Sequence, residues 1–253
     1  MTKPRADILV VIPCYNEESS IQNLVNDIQS VKKQHNLPID ILVVNDCSKD
    51  NTLEIVKSLD CLYLDLPVNL GIGGGMQSGY KYAYRNGYKF AVQMDGDGQH
   101  PAVELPKLLQ EALRNDADIV IGSRFLEGKG FQSSFVRRLG INYFKWLNRI
   151  LIGKTIHDST SGFRVFNRKT LEIVNQYYPD EYPEPEAIVL FGLNNLKMKE
   201  VPVEMCERQG GVSSIHSFRA VYYMFKVTLG IIFVYIRLKG KYGKCSPIQN
   251  SDT

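Results

Sequence analysis

Short apolar runs recur along the first half of the chain, each stopping at a cluster of polar or glycine residues and each followed by helical spacing. Ile8 to Ile12 (ILVVI) and Ile39 to Val44 (IDILVV) are apolar almost without interruption. A half-exposed strand alternates, so runs like these predict strands covered on both faces. Between them, Glu17 and Glu18 precede Ile21, Leu24, Val25, Ile28 and Val31, one helix face with acids in the first turn, where the dipole favours them. The pattern repeats with a helix bearing Leu53, Ile55, Val56 and Leu59, then a strand from Cys61 to Leu66. Asn69 to Gly79 (NLGIGGGMQSG) opens a helix running through Tyr80, Tyr82 and Tyr84. A strand from Phe90 to Met94, a helix from Val103 to Leu113 and a strand from Asp118 to Gly122 follow. Parallel strands need crossovers, and helices of this length supply them. The alternation predicts an α/β fold with a doubly wound, mostly parallel sheet.

The chain of 253 residues suffices for one large domain of this class. Its net charge is only +3, yet Arg237, Lys239, Lys241 and Lys244 crowd together with no acid before Asp252. That excludes a general nucleic-acid binder and marks a local basic edge. The five cysteines are odd in number and never form a CxxC pair, which suits thiols in a reducing compartment. MTKPRAD enters the first strand without an apolar signal core, so a cytoplasmic location is expected. After Ser123 the pattern changes: basic and aromatic residues at helical spacing (Arg137, Arg138, Tyr143, Trp146, Leu147, Ile150) lead to a polar turn, His157 to Arg164. A helix from Pro185 to Leu196, a strand from Glu200 to Cys206 and a loop from Glu207 to Ser214 complete this part. The expected organisation is a domain over 1–215, with a nucleotide and metal half (7–122) and an acceptor half (123–215), followed by a helix and basic tail over 216–253.

Chemistry concentrates where the strand Phe90 to Met94 ends. Asp95, Asp97 and Gln99 alternate there with Gly96 and Gly98. Carboxylates two apart at a strand mouth repel unless a cation lies between them, and glycine lets the chain fold around one. Mg²⁺ or Mn²⁺ suits such a set, since each takes one or two carboxylates and completes its shell with water and phosphate oxygens. Taken alone, DGDG is equally a solvated turn. Two further polar clusters end strands: Pro13, Tyr15, Asn16 and Glu17 after the first, and Asn45, Asp46 and Ser48 after the second. In an open α/β sheet these meet at the crevice beyond the strand ends. Asp46 can accept a base N–H or cap a helix. The run from Gly71 to Gly75 has Met at position 76 and follows the third strand, so it is not a dinucleotide fingerprint. It serves either close backbone approach to a donor, at Gly73, or tight helix packing.

Ile12 to Glu17, Asn45 to Ser48 with Asp50, Asn69 to Gly79, Asp95 to Pro101, Gly122 to Arg124, Asp158 to Arg164, and Arg208 with Gly211 and Ser213 together resemble family 2 glycosyltransferases of the GT-A fold. The likeness covers about 7–215 and is nearest to polyprenyl-phosphate sugar synthases of the dolichol-phosphate mannose synthase type. The resemblance implies a GT-A, Rossmann-like sheet. It implies that Pro13, Tyr15, Glu17 and Asp46 hold the nucleotide, that Asp95, Asp97 and Gln99 bind the cation, and that Arg124, Arg138, Ser161, Arg164 and Arg208, with Ser213, line a phosphate-rich acceptor side. Two features depart from it: Asn45 stands where many relatives carry aspartate, and their C-terminal transmembrane hairpins are absent. The expected reaction is inverting transfer of a sugar from a UDP- or GDP-linked donor to polyprenyl phosphate. Uracil and guanine both offer an N–H, so the base is left open. A phosphate acceptor is already anionic and needs positioning by cations, for which arginine offers bidentate geometry. A hydroxyl acceptor on a polysaccharide or lipid-linked glycan would need a base, with Asp158, Glu184 and Glu186 as candidates. A catalytically silent nucleotide-sugar binder would leave the metal set without a use.

The last helix, Ala220 to Leu238, is interrupted by Lys226, and its uncharged run of Val227 to Ile236 rises only about 15 Å, against roughly 30 Å of bilayer core. At 100° per residue Arg219, Lys226 and Arg237 form one basic stripe. The expectation is a helix lying on the membrane's inner face through 219–244, stripe toward anionic head groups. Packing on the catalytic domain and docking on a small integral-membrane subunit are the alternatives.

Overall fold

The computed structural model describes residues 6–114, 116–126, 135–206 and 217–242, without the side chains of 135–139, 141, 217–221, 223 and 240–242. The strands are β1 (Ile8–Cys14), β2 (Ile39–Asn45), β3 (Leu62–Asp65), β4 (Phe90–Gln93), β5 (Ile119–Ser123), β6 (Arg164–Asn167) and β7 (Met198–Pro202). The helices are α1 (Ile21–Gln34), α2 (Thr52–Ser58), α3 (Gly71–Arg85), α4 (Leu105–Leu113), α5 (Phe135–Ile152), α6 (Arg168–Gln176), α7 (Pro183–Leu193) and α8 (Ser217–Tyr242). One sheet runs in the order β3-β2-β1-β4-β6-β5-β7. Its pairings are parallel except those of β6, which is antiparallel to both β4 and β5. The expected α/β architecture is present with this one reversal. Because β6 comes from the second half of the chain and lies between two strands of the first, both expected halves share a single sheet.

Every residue of β1 is buried, and its side chains divide by parity. Ile8, Val10 and Ile12 meet Ile21, Leu24, Val25 and Ile28 of α1 and Leu105, Leu108 and Leu109 of α4. Leu9 and Val11 join a second core on the other face with Met76, Tyr80 and Ala83 of α3, Ala187 to Phe191 of α7, and α8. This two-sided cover is why the strand lacks alternation. Helix α7 is apolar almost all round because α8 covers it. Neither β6 nor α6 was expected: the turn from His157 leads directly into β6, whose last residue, Asn167, caps α6 by accepting from the N–H of Thr170.

Helix α8 seats Val227, Ile231, Val234 and Leu238 in the second core. The basic stripe touches the domain while staying accessible to solvent, Lys226 partly exposed and Arg237 exposed. Lys226 pairs with Glu181 at 3.5 Å and the Arg237 guanidinium lies 4.1 Å from the centre of the Tyr177 ring, so both turn toward acids and aromatics of the domain; the Arg219 side chain lies outside the described residues. The face opposite the core is instead apolar. Tyr222, Phe225, Leu229, Phe233 and Ile236 are between 37% and 67% exposed and fall within an arc of about 80°. Among the described residues no helix is long and apolar enough to cross a membrane.

Candidate active site

Beyond the carboxyl ends of β1, β2 and β4 lies a cavity of about 450 Å³ lined by Pro13, Tyr15, Glu17, Asp46, Asp95 and Asp97, with Gly71, Ile72 and Gly75 of α3. The loops after β1 and β2 turn sharply, each through one left-handed residue, Asn16 (φ 57°) and Cys47 (φ 59°). They then brace each other. The N–H of Asn16 donates to Ser48 Oγ at 3.0 Å, that of Lys49 to Asn16 Oδ1 at 2.8 Å, and that of Glu17 to Thr52 Oγ1 at 2.8 Å. Asp50, expected within a nucleotide motif, serves this brace by accepting from Thr52 and Glu18, and these bonds hold its carboxyl below the usual range against the opposing effect of burial. Asp46 accepts from the N–H of Leu70 at 2.7 Å with Oδ1. It therefore steadies the start of α3 with one oxygen while lining the cavity. Asn45, the departure from the family pattern, donates to Asp65 Oδ1 at 2.7 Å and ties β2 to β3.

The DGDG turn is held from beneath. The N–H of Asp95 donates to His100 Nδ1 at 3.0 Å, so the ring proton sits on Nε2, 3.7 Å from Asp95 Oδ2. His100 is buried and stacked on Phe163; burial lowers its pKa to about 4 and keeps it neutral. Gly98 takes φ 76°, a conformation that would strain a side-chain residue, and the N–H of Gln99 returns to Asp97 Oδ1 at 3.0 Å. The carbonyl of Gln99 accepts from the N–H of Cys206, anchoring the turn beyond β7. Burial and then the neighbouring Asp97 raise the Asp95 carboxyl to about 6. Two carboxylates crowded until one resists ionising are a donor set that fits a hard divalent cation. Among the described residues no group of three or more His, Cys, Asp or Glu converges as a closed metal site, so water and phosphate oxygens would complete the coordination.

Three expected site residues are held inside the fold. Gly73 packs against the domain: a Cβ there would come within 2.3 Å of the Pro179 carbonyl and 2.4 Å of that of Asp180, so tight packing is its role. Arg164 is fully buried and donates to the carbonyls of Ser161, Ser159 and Glu184; its Nη1 has no partner among the described residues, and its charge acts on Asp95 and Glu184 from behind the turn. Ser161 is likewise buried, its Oγ accepting from the N–H of Phe163. Arg124 is present at the end of β5, gripped bidentately by Asp158 with two bonds of 2.7 Å and a third contact to Thr160 Oγ1. Asp158 in turn is buried and oriented by Glu200, which accepts from the N–H groups of His157 and Asp158. The side chain of Arg138, and Arg208 and Ser213, lie outside the described residues.

Of the candidate bases, Asp158 is committed to Arg124, and Glu186 is buried beneath α8, where a Cβ on Gly230 would come within 2.5 Å of its Oε1. Glu184 alone reaches the neighbourhood of Asp95, and burial followed by Asp95 raises its pKa. Its link is Gln93, whose Nε2 lies 3.4 Å from Asp95 Oδ1 and 3.3 Å from Glu184 Oε1. Gln93, Tyr80, His100 and Glu200 went unread in the sequence. Gln93 did carry a signal, a lone amide inside the run Phe90 to Met94.

Residues 9–174 match the Glycosyl transferase family 2 profile. The chain is 29% identical over 247 residues to the UDP-N-acetylglucosamine--dolichyl-phosphate N-acetylglucosaminyltransferase of Methanococcus voltae, covering 88% of this chain and 96% of that one. It is 32% identical over 235 residues to the polyprenol monophosphomannose synthase of Mycolicibacterium smegmatis, covering 89% and 87%. Among solved structures, glucosyl-3-phosphoglycerate synthase from Mycobacterium tuberculosis, in complex with Mn²⁺, uridine diphosphate and glucosyl-3-phosphoglycerate, superposes with a TM-score of 0.69 at 15% identity over 93% of this chain and 80% of that one, a likeness of fold. With its mostly parallel sheet, its carboxylate turn and these relatives, the chain belongs to glycosyl transferase family 2 and is a glycosyltransferase.

Proposed function

We propose that this enzyme transfers a sugar from a nucleoside-diphosphate sugar to a polyprenyl phosphate, inverting the anomeric centre, with Mg²⁺ or Mn²⁺ as its cation. The observation that carries the reading is the placement of Asp95 and Asp97 on the wall of a cavity whose far side is built from the braced loops after β1 and β2. The names of the two relatives, one a dolichyl-phosphate and one a polyprenol-phosphate enzyme, support the acceptor class.

Asp95 and Asp97, with Gln99, would hold the cation, which when bound neutralises the diphosphate as it leaves. Asp46 accepts from the base, and Pro13, Tyr15 and Glu17 hold the nucleotide with it. Attack by a phosphate oxygen needs no proton removed at neutral pH, so the acceptor requires orientation and charge rather than a base. Of the candidate bases a hydroxyl acceptor would need, Asp158 is bound to Arg124 and Glu186 is covered, which leaves Glu184 to that second reading. Arg138 and Arg208 are the proposed ligands of the acceptor phosphate, with Ser213 beside them, and Arg124 contributes a fixed positive charge. The bare apolar face of α8 is proposed to lie in the head-group boundary of the membrane's cytoplasmic side, which brings the site to a lipid-borne substrate.

The test is a panel of UDP- and GDP-sugars offered with Mn²⁺ and either polyprenyl phosphate or the free polyprenol. Nucleoside diphosphate should be released in step with formation of lipid-linked sugar, only with the phosphorylated lipid, and chelator should stop it. Turnover with the free alcohol and none with the phosphate would give the reaction to the hydroxyl reading.

A further inference from the structure

We propose that Gln93 is a positioning residue of the cation site, a buried amide that fixes the carboxylate of Asp95 and couples it to Glu184. The inference rests on the reading above that Asp95 meets the cation. A glutamine amide has one acceptor oxygen and an NH₂ with two hydrogens, and here each has a use. Tyr80 on α3 donates its hydroxyl to Gln93 Oε1 at 2.8 Å. With the oxygen taking that bond, the NH₂ faces Asp95 Oδ1 at 3.4 Å and Glu184 Oε1 at 3.3 Å. The reverse orientation would set the oxygen against two anions.

The surroundings hold it there. Gln93 is fully buried in a strand whose other members are apolar, so without partners it would be a costly residue at that place. Its cross-strand partner on β6 is Arg164, which donates to the Glu184 carbonyl and so ties down the start of α7. Gly162 closes the remaining side: a Cβ there would lie 2.8 Å from Asp95 Oδ2 and 3.0 Å from Gln93 Nε2. Elements α3, β4, β6 and α7 thus converge on one amide, and that amide sits directly behind the carboxylate turn. Groups behind a metal ligand set its orientation, and removing them weakens metal binding without removing a ligand.

The experiment measures Mn²⁺ affinity by titration, following the free ion by electron paramagnetic resonance, with uridine or guanosine diphosphate present. It compares the wild type with Gln93→Met, which keeps the volume, and Tyr80→Phe, which removes the hydroxyl that bonds the amide oxygen. Nucleotide affinity in chelator and the melting temperature of metal-free protein are recorded alongside. The expected result is Mn²⁺ binding weakened about tenfold in Gln93→Met and by a smaller factor in Tyr80→Phe, with metal-free nucleotide affinity unchanged. A role in folding alone would lower the melting temperature and leave Mn²⁺ affinity untouched, which overturns the proposal. Equal loss of nucleotide and Mn²⁺ binding also overturns it. Should Gln93→Met not fold, Tyr80→Phe decides, and wild-type Mn²⁺ affinity in that variant rejects the inference. A wild type that binds no Mn²⁺ sinks the cation reading itself, an outcome distinct from variants that merely match it.

Discussion

Asp95 and Asp97 repel each other across a glycine, and that repulsion is what a cation would relieve. Replacing Asp97 with Asn removes one charge, so turnover should fall on the order of a hundredfold or more at saturating Mn²⁺, while metal-free protein should melt slightly higher. Kinetics beside a melt in chelator check both halves, and near-normal turnover would remove Asp97 from the cation site. These residues were legible because each ends an apolar run, and in a parallel sheet the run ends gather at one edge. The same logic brings Asp46, Pro13, Tyr15 and Glu17 to the one cavity they line. Arg164 was not legible in this way. The resemblance implies a phosphate ligand there, but a guanidinium facing a phosphate and one donating to three backbone carbonyls have the same local sequence.

For the elements, periodicity located strands long enough to show it. β6 has four residues, opens with an arginine and ends with a helix-capping asparagine, so neither an apolar run nor an alternation announces it. The segment from Asn167 to Val174 did hold a cap followed by Leu171 and Val174 at helical spacing. At α3 the packing of Gly73 leads to a test: Gly73→Ala should cost about 1–3 kcal/mol by overpacking, visible as a lower denaturation midpoint, without a selective rise in the donor KM. A change confined to the donor KM would return Gly73 to the nucleotide. The seat of α8 is pH-dependent. Burial and then Glu181 and Asp180 raise Glu186 from 4.5 to about 7, so the fold favours its neutral form. The stability it contributes is complete below its unfolded pKa and is lost as pH rises through about 7. Glu186→Gln should accordingly stabilise the protein by about 1–3 kcal/mol at pH 8 and by almost nothing near pH 4. Urea unfolding at the two values measures it, and an equal effect at both would place the carboxylate in solvent.

Across the whole molecule, α8 is apolar on two opposite faces and only one is used within the domain. Phe225 and Phe233 are exposed, so changing both to Glu should leave the melting temperature nearly unchanged. Flotation with anionic vesicles should nevertheless fall about tenfold or more, since each phenylalanine is worth about 1.5–3 kcal/mol when buried. Undiminished flotation of the double variant would reject this face as the one that meets lipid. The reversed strand has a consequence for how the chain is made. As residues leave the ribosome in order, β1 to β4 can assemble at once, but the neighbour of β4 is β6, which is synthesised roughly 70 residues later. At about 5–20 residues per second the nascent chain carries a raw, apolar sheet edge for several seconds before the strand that closes it arrives. During that interval the protein is most open to pairing with another copy of itself.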